Sequence, residues 1–202
     1  MIEQPVRPGP PPGVTGFKLL TMLEPPRPRR VAMSPRAGHL VVATVCVGAF
    51  MGQLDSSIVS VALPRMSAGL HAGLGAVEWV SLSYVLVLVA LVAPVGALAD
   101  AIGRKSLYVG GFAVFTVASA GCALAPDLAV LCACRLVQGV GAALMQANSV
   151  ALIASVTPAN RLGRAVGVQA AAPAIGLAAG PAVGGLLLSV ASWRLLFLVN
   201  VP

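Results

Sequence analysis

The chain has 202 residues, of which 58% are hydrophobic and 9% charged, and its mean hydropathy is +0.93. A soluble domain carries roughly a quarter charged residues, so this composition excludes an ordinary water-soluble fold. The net charge of +7 does not point to nucleic acid, because the basic residues fall between apolar runs and not on one patch.

Residues 1–36 are rich in Pro, Gly and Arg and show no apolar period, which predicts a disordered tail and not a signal peptide. Met33, just ahead of Ser34-Pro35-Arg36, offers an alternative start of translation. Beyond it, apolar stretches of about twenty residues recur. At 1.5 Å per residue each is long enough to cross a hydrocarbon core of about 30 Å. Strand-like alternation is missing, so the reading is an all-α integral membrane protein and not a β-barrel.

The first span is expected from about Gly38 to Leu63, ahead of Pro64, and carries Asp55. The second runs from about Val77 to Ala99, with Trp79 at its membrane boundary. A polar loop, Asp100 to Ser106, leads to a third span over about Leu107 to Ala125, stopped by Pro126-Asp127. The fourth, about Leu128 to Ser155, contains Arg135; the fifth, about Arg164 to Leu188, is dominated by Gly and Ala. A sixth, 195–202, is incomplete, leaving five complete spans and the start of another. The tail arginines, Arg36, Arg104, Lys105, Arg161 and Arg164 fall on one side, against Arg65 and Arg194 on the other. The positive-inside rule then predicts a multi-pass protein with a cytoplasmic N-terminus.

An ionisable group inside a span costs about 2.5–3.5 kcal/mol on insertion scales and needs a reason. For Asp55 that reason is either a carboxylate facing a wet central cavity, taking up and releasing a proton, or a structural acid bonded to a neighbouring helix. Arg135 must face the bundle interior or snorkel to the interface, where it can bind an anionic group or hold a nearby carboxylate ionised, and Gln138 shares its helix face, making a polar stripe. In the loop after the second span, Gly96 is expected to let helices approach, Asp100 to meet an arginine or a helix N-terminus, and Gly103 to permit a tight turn before Arg104 and Lys105. In the fifth span Gly176, Gly180 and Gly184 recur every four residues, with Pro173, Pro181 and Gly185 beside them, and form one smooth face for helix packing.

Cys46, Cys122, Cys132 and Cys134 all lie in apolar runs and read as small hydrophobes, not as disulfides or a metal site. His39 and His71 stand at span edges without partner ligands. With no nucleophile–base pair, metal cluster or phosphate-binding loop in the sequence, a membrane enzyme is disfavoured and no catalytic residue is assigned.

Taken in order, Gln53-Leu54-Asp55-Ser56-Ser57-Ile58-Val59-Ser60-Val61-Ala62-Leu63-Pro64, Gly96 to Lys105, Arg135-Leu136-Val137-Gln138-Gly139-Val140-Gly141-Ala142-Ala143, and Gly176-x-x-x-Gly180-Pro181-x-x-Gly184-Gly185 resemble the motifs of the major facilitator superfamily, in particular its fourteen-span drug:proton antiporters. Ser192-Trp193-Arg194 through Phe197, Asn200 and Pro202 resembles the family's start of helix six. Ala101, Ser60 and Ala147 depart from the pattern, and the loss of a base at 101 weakens the loop motif.

The resemblance implies an incomplete N-terminal helical bundle, with Asp55 and Arg135 in proton coupling or substrate binding. It implies also that Asp100 and Arg104 form a cytoplasmic latch and that the glycine-proline helix supports alternating access. The implied protein sits in the lipid bilayer of the inner (plasma) membrane and exports a small amphipathic molecule. It needs no cofactor beyond the proton gradient, binds no nucleic acid, and its partners are C-terminal helices outside this sequence. The rival expectation is a truncated membrane polypeptide with no transport activity of its own.

Overall fold

The structure is a computed structural model that describes residues 35–201, with the side chains of residues 35–37 and of Asp100 outside that description. The tail expected to be disordered and the alternative start at Met33 therefore lie outside the described residues. Among the described residues the fold is all helical: α1 (Pro35–Leu70), α2 (Leu74–Val77), α3 (Trp79–Ile102), α4 (Arg104–Leu124), α5 (Leu128–Val156), α6 (Ala159–Val190) and α7 (Leu195–Leu198). Five stretches are long and apolar enough to cross a membrane: Gly38–Leu70, Leu74–Ala99, Arg104–Leu124, Leu128–Val156 and Ala159–Val190.

Large apolar side chains stand outward on these helices, among them Leu40, Val89, Val117, Leu124, Ile175, Leu186 and Val190. In water such a surface would be an aggregation hazard; against acyl chains it has no cost.

Several helix ends differ from the expected spans. α1 continues through Pro64 to Leu70, one turn and more beyond the expected stop. Proline removes a single backbone hydrogen bond, and membrane helices tolerate that loss where neighbours compensate. The expected polar loop from Asp100 to Ser106 shrinks to one residue: α3 ends at Ile102 and α4 begins at Arg104. Gly103 makes that reversal at φ 104°, a conformation that side chains resist, so the expected tight turn is observed in its shortest form. The Pro126-Asp127 stop coincides with the next start, since Asp127 Oδ1 accepts from the Val130 N–H at 2.9 Å and caps α5.

Short connections make successive spans antiparallel. One end of the bundle gathers the start of α1, Gly103, the end of α5 and the start of α6, with exposed Arg104, Lys105, Arg161 and Arg164. The other end gathers Gly69, at the end of α1, and Trp193, before α7: a Cβ added to Gly69 would lie 2.8 Å from the Trp193 indole nitrogen. Arg194 locks this end by donating to the Ala125 carbonyl at 2.9 Å while stacking over Trp193.

Helix α5 is the hub. A Cβ added to Gly139 would lie 2.8 Å from the Tyr84 carbonyl oxygen of α3, and one added to Gly141 would lie 2.6 Å from the Phe115 nitrogen of α4. Only glycine permits both approaches, and they bring α3 and α4 against opposite flanks of the helix that bears Arg135.

A buried ion pair and the cavity beside it

Asp55 lies near the middle of the 33-residue span Gly38–Leu70, and Arg135 lies about two turns into α5. The packing of α1 against α5 brings them together: Arg135 Nη1 donates to Asp55 Oδ2 at 2.5 Å. Arg135 is 0% exposed and Asp55 2% exposed, so the arginine turns into the bundle and does not snorkel.

Every other contact at the pair helps hold it. Gln138 accepts from Arg135 Nη1 at 2.6 Å and donates from Nε2 to Asp55 Oδ1 at 3.1 Å. The same amide nitrogen donates to Ser119 Oγ at 2.7 Å, and Ser119 donates to the Phe115 carbonyl at 2.8 Å, tying the network to α4. Asn200, just after α7, donates from Nδ2 to Asp55 Oδ1 at 2.7 Å. Arg135 Nε donates to the Val80 carbonyl of α3 at 3.0 Å. Nη2 has no hydrogen-bond acceptor; the guanidinium instead lies over the Tyr84 ring at 4.3 Å and near the Phe197 ring at 5.9 Å.

This arrangement makes the ionised pair tolerable in a medium without water. A buried ion pair offsets its desolvation only when geometry is good and the remaining lone pairs and protons are used. Here both carboxylate oxygens are occupied by donors, and the positive charge is shared between a carboxylate, two carbonyl-type oxygens and two aromatic faces. A proton on Asp55 would leave the guanidinium buried without its counter-charge.

The expected stripe of Arg135 and Gln138 thus meets Asp55 in one cluster, and Asp55 does not line the cavity beside it. A cavity of about 110 Å³ lies on the neighbouring turns, lined by Gly48, Gly52, Gln53, Tyr84, Tyr108, Gln146 and Gln169 among others, with no charged side chain in its wall. In this packing Asp55 is bonded to neighbouring elements, to Arg135 and Gln138 on α5 and to Asn200 after α7.

The other expected site residues divide. Gly176 and Gly180 press against the Asp55 helix: a Cβ at Gly176 would lie 2.5 Å from the Phe50 carbonyl oxygen, and one at Gly180 would collide with the Ser57 side chain. Ser57 completes that contact by donating to the Leu177 carbonyl at 2.9 Å. Gly184 meets Ile58 at ordinary contact distance, 3.6 Å. Among the described residues Gly185 and Gly96 both face open space, and neither brings two of these helices together. Pro181 lies inside α6, which continues through it. Arg104 and Lys105 are exposed at the start of α4, and the Asp100 side chain lies outside the description.

Sequence reasoning did not assign Asn200, Ser119 or Tyr84 to the site. Asn200 had been marked only as part of a helix-six pattern, and the signal that could have found it is a polar amide at the end of an apolar run. No group of His, Cys, Asp and Glu among the described residues could hold a metal ion.

The sequence matches the Major Facilitator Superfamily over residues 45–202. The chain belongs to that superfamily. Among its relatives are the riboflavin transporter RibZ of Clostridioides difficile, 34% identical over 81% of this chain and 36% of the relative. The multidrug resistance protein Stp of Mycobacterium tuberculosis is 39% identical over 83% of the chain and 31% of the relative. The methylenomycin A resistance protein of Bacillus subtilis is 39% identical over 82% of the chain and 36% of its own length. This major facilitator chain spans about a third of the length of the curated relatives it matches. Membership makes it a multi-pass membrane chain of a transporter superfamily, built as an N-terminal bundle of that fold.

Proposed function

We propose that the chain supplies the N-terminal bundle of a proton-coupled antiporter that exports drugs or other small amphipathic compounds across the inner membrane. The observation that carries the proposal is the Asp55–Arg135 pair, a titratable acid held at mid-span by a fixed cation and neutral amides. Binding a proton there neutralises Asp55 and forces Arg135 to find another partner, so proton uptake favours a different packing of α1 against α5. Export and proton entry are then alternating occupants of one two-state bundle.

The cavity supports the substrate class. Its amides and apolar walls suit a molecule with an apolar body and hydrogen-bonding edges. At about 110 Å³ it holds only part of a drug-sized ligand, which needs roughly 300–1,000 Å³, so helices beyond this sequence complete the site. Relatives named for multidrug and methylenomycin A resistance agree with this class. Gly176 and Gly180 supply the smooth face along which α6 slides on α1, and the loop motif with Asp100 and Arg104 serves as the cytoplasmic latch between this bundle and the second half of the transporter.

The test is export of a fluorescent lipophilic cation such as ethidium from cells carrying the intact protein. Export that stops when a protonophore collapses the gradient, and is lost in Asp55→Asn, is the expected result. Export unaffected by either contradicts the proposal, and no export at all favours the rival reading of a polypeptide without transport activity.

A further inference from the structure

The cavity and the ion pair share a wall. Tyr84 on α3 is buried, with its ring 4.3 Å from the Arg135 guanidinium carbon. The same side chain lines the cavity, and its hydroxyl lies 3.6 Å from the position of a Cβ added to Gly52. Asp55 is absent from that lining, so an occupant of the cavity meets Tyr84 and not the carboxylate.

The backbone beneath Tyr84 is clamped. Its carbonyl oxygen lies 2.8 Å from where a Gly139 Cβ would sit, leaving no room for α3 to yield toward α5. A ligand pressing on Tyr84 therefore displaces the ring and not the helix. The ring face also supports the Arg135 guanidinium, whose Nη2 has no hydrogen-bond acceptor.

We propose that Tyr84 is a positioning residue that transmits occupancy of the cavity to the Asp55–Arg135 pair. A bound amphipathic molecule shifts the ring, the shift alters how well Arg135 is held, and the balance between ionised and protonated Asp55 changes without contact between ligand and acid. The titratable or charged groups facing the pair are Asp55 from α1, Cys122 from α4, which approaches Gln138 at 3.8 Å, Tyr84 from α3, and Arg135 with Cys132 one turn before it from α5. The region of α7 contributes uncharged Phe197 and Asn200, and α6 meets α1 nearby through glycines. The inference rests on the exchange reading for its purpose, but it makes a separate physical claim.

The test fills the cavity covalently in the intact protein, so it needs no known substrate. Cys46, Cys132 and Cys134 are replaced by alanine, buried Cys122 is kept, and Gly52→Cys is labelled with benzyl methanethiosulfonate. The ratio of protonated to ionised Asp55 at fixed pH is read from its carboxyl infrared band, assigned by the loss of that band in Asp55→Asn. Labelling is expected to change the ratio about threefold, the size of one weak cation–π contact. The change should persist in Tyr84→Phe, which keeps the ring, and vanish in Tyr84→Leu.

An unchanged ratio with Tyr84 or Tyr84→Phe, or an equal change in Tyr84→Leu, overturns the inference. Should Tyr84→Leu not fold, the first two proteins decide alone. Export that ignores the proton gradient while labelling still moves Asp55 would refute the transport reading only; gradient-driven export without the labelling effect would refute the role of Tyr84 only.

Discussion

The two faces of α1 are held by different physics. Toward α5 and α7 the helix is fixed by charge: Asp55 meets Arg135 and Gln138 of α5, and Asn200 after α7, through hydrogen bonds that a shift of one residue would break. Toward α6 it is fixed by shape, where Gly176 and Gly180 let the two backbones approach and one side-chain hydrogen bond, Ser57 to Leu177, crosses the contact. A charged contact has one geometry and a large cost of separation, whereas a smooth face has many neighbouring geometries of similar energy. A helix held in both ways can stay registered on one side while it moves on the other, until a proton releases the charged side.

The comparison predicts a graded series of stabilities, measured by unfolding of the detergent-solubilised protein. Arg135→Leu should cost most, about 3–5 kcal/mol, because it leaves Asp55 buried without its counter-charge. Gly176→Val should cost about 2 kcal/mol by forcing α6 away from the Phe50 carbonyl, and a value near zero would mean that the α1–α6 face is not close-packed. Asn200→Leu should cost about 1.5 kcal/mol, the worth of one hydrogen bond to a charged group, and should weaken the docking of α7. Gly185→Ala should fall within about 0.5 kcal/mol of the parent, since its Cβ would enter open space; a large loss there would mean that a partner helix covers this part of α6.

The same contrast explains what could be read without coordinates. Asp55 and Arg135 stood out because ionisable groups in apolar runs are expensive, and expense is visible in one dimension. Gly103 was legible for a similar reason: a glycine between an acid-ending helix and two bases marks a reversal, and its φ of 104° is the conformation that glycine supplies. The four-residue glycine spacing marks a face of α6 but not how closely each member meets a neighbour, because that depends on how the helix is rotated: Gly176 and Gly180 are pressed against α1, whereas Gly184 is at ordinary contact and Gly185 beside it faces open space.

Neutral partners were the harder class. Asn200 and Ser119 cost little to insert, lie 145 and 19 residues from the groups they bond, and gain their roles only through packing. Tyr84 carries no signal of its own within an apolar run, and it is the close approach of α3 to Gly139 that sets its ring beside the Arg135 guanidinium. Pro64 misled for the opposite reason, because the helix-stopping rule learned in water weakens where a membrane helix continues on both sides.

The central claim is that Asp55 and Arg135 act as one unit, and a double-mutant cycle measures it most directly. Stabilities of Asp55→Asn, Arg135→Gln and the double variant should show each single change costing several kcal/mol and the double recovering about 2 kcal/mol or more of their sum. Additivity within about 0.5 kcal/mol would contradict the account, because two residues that ignore each other do not form the switch on which proton coupling depends.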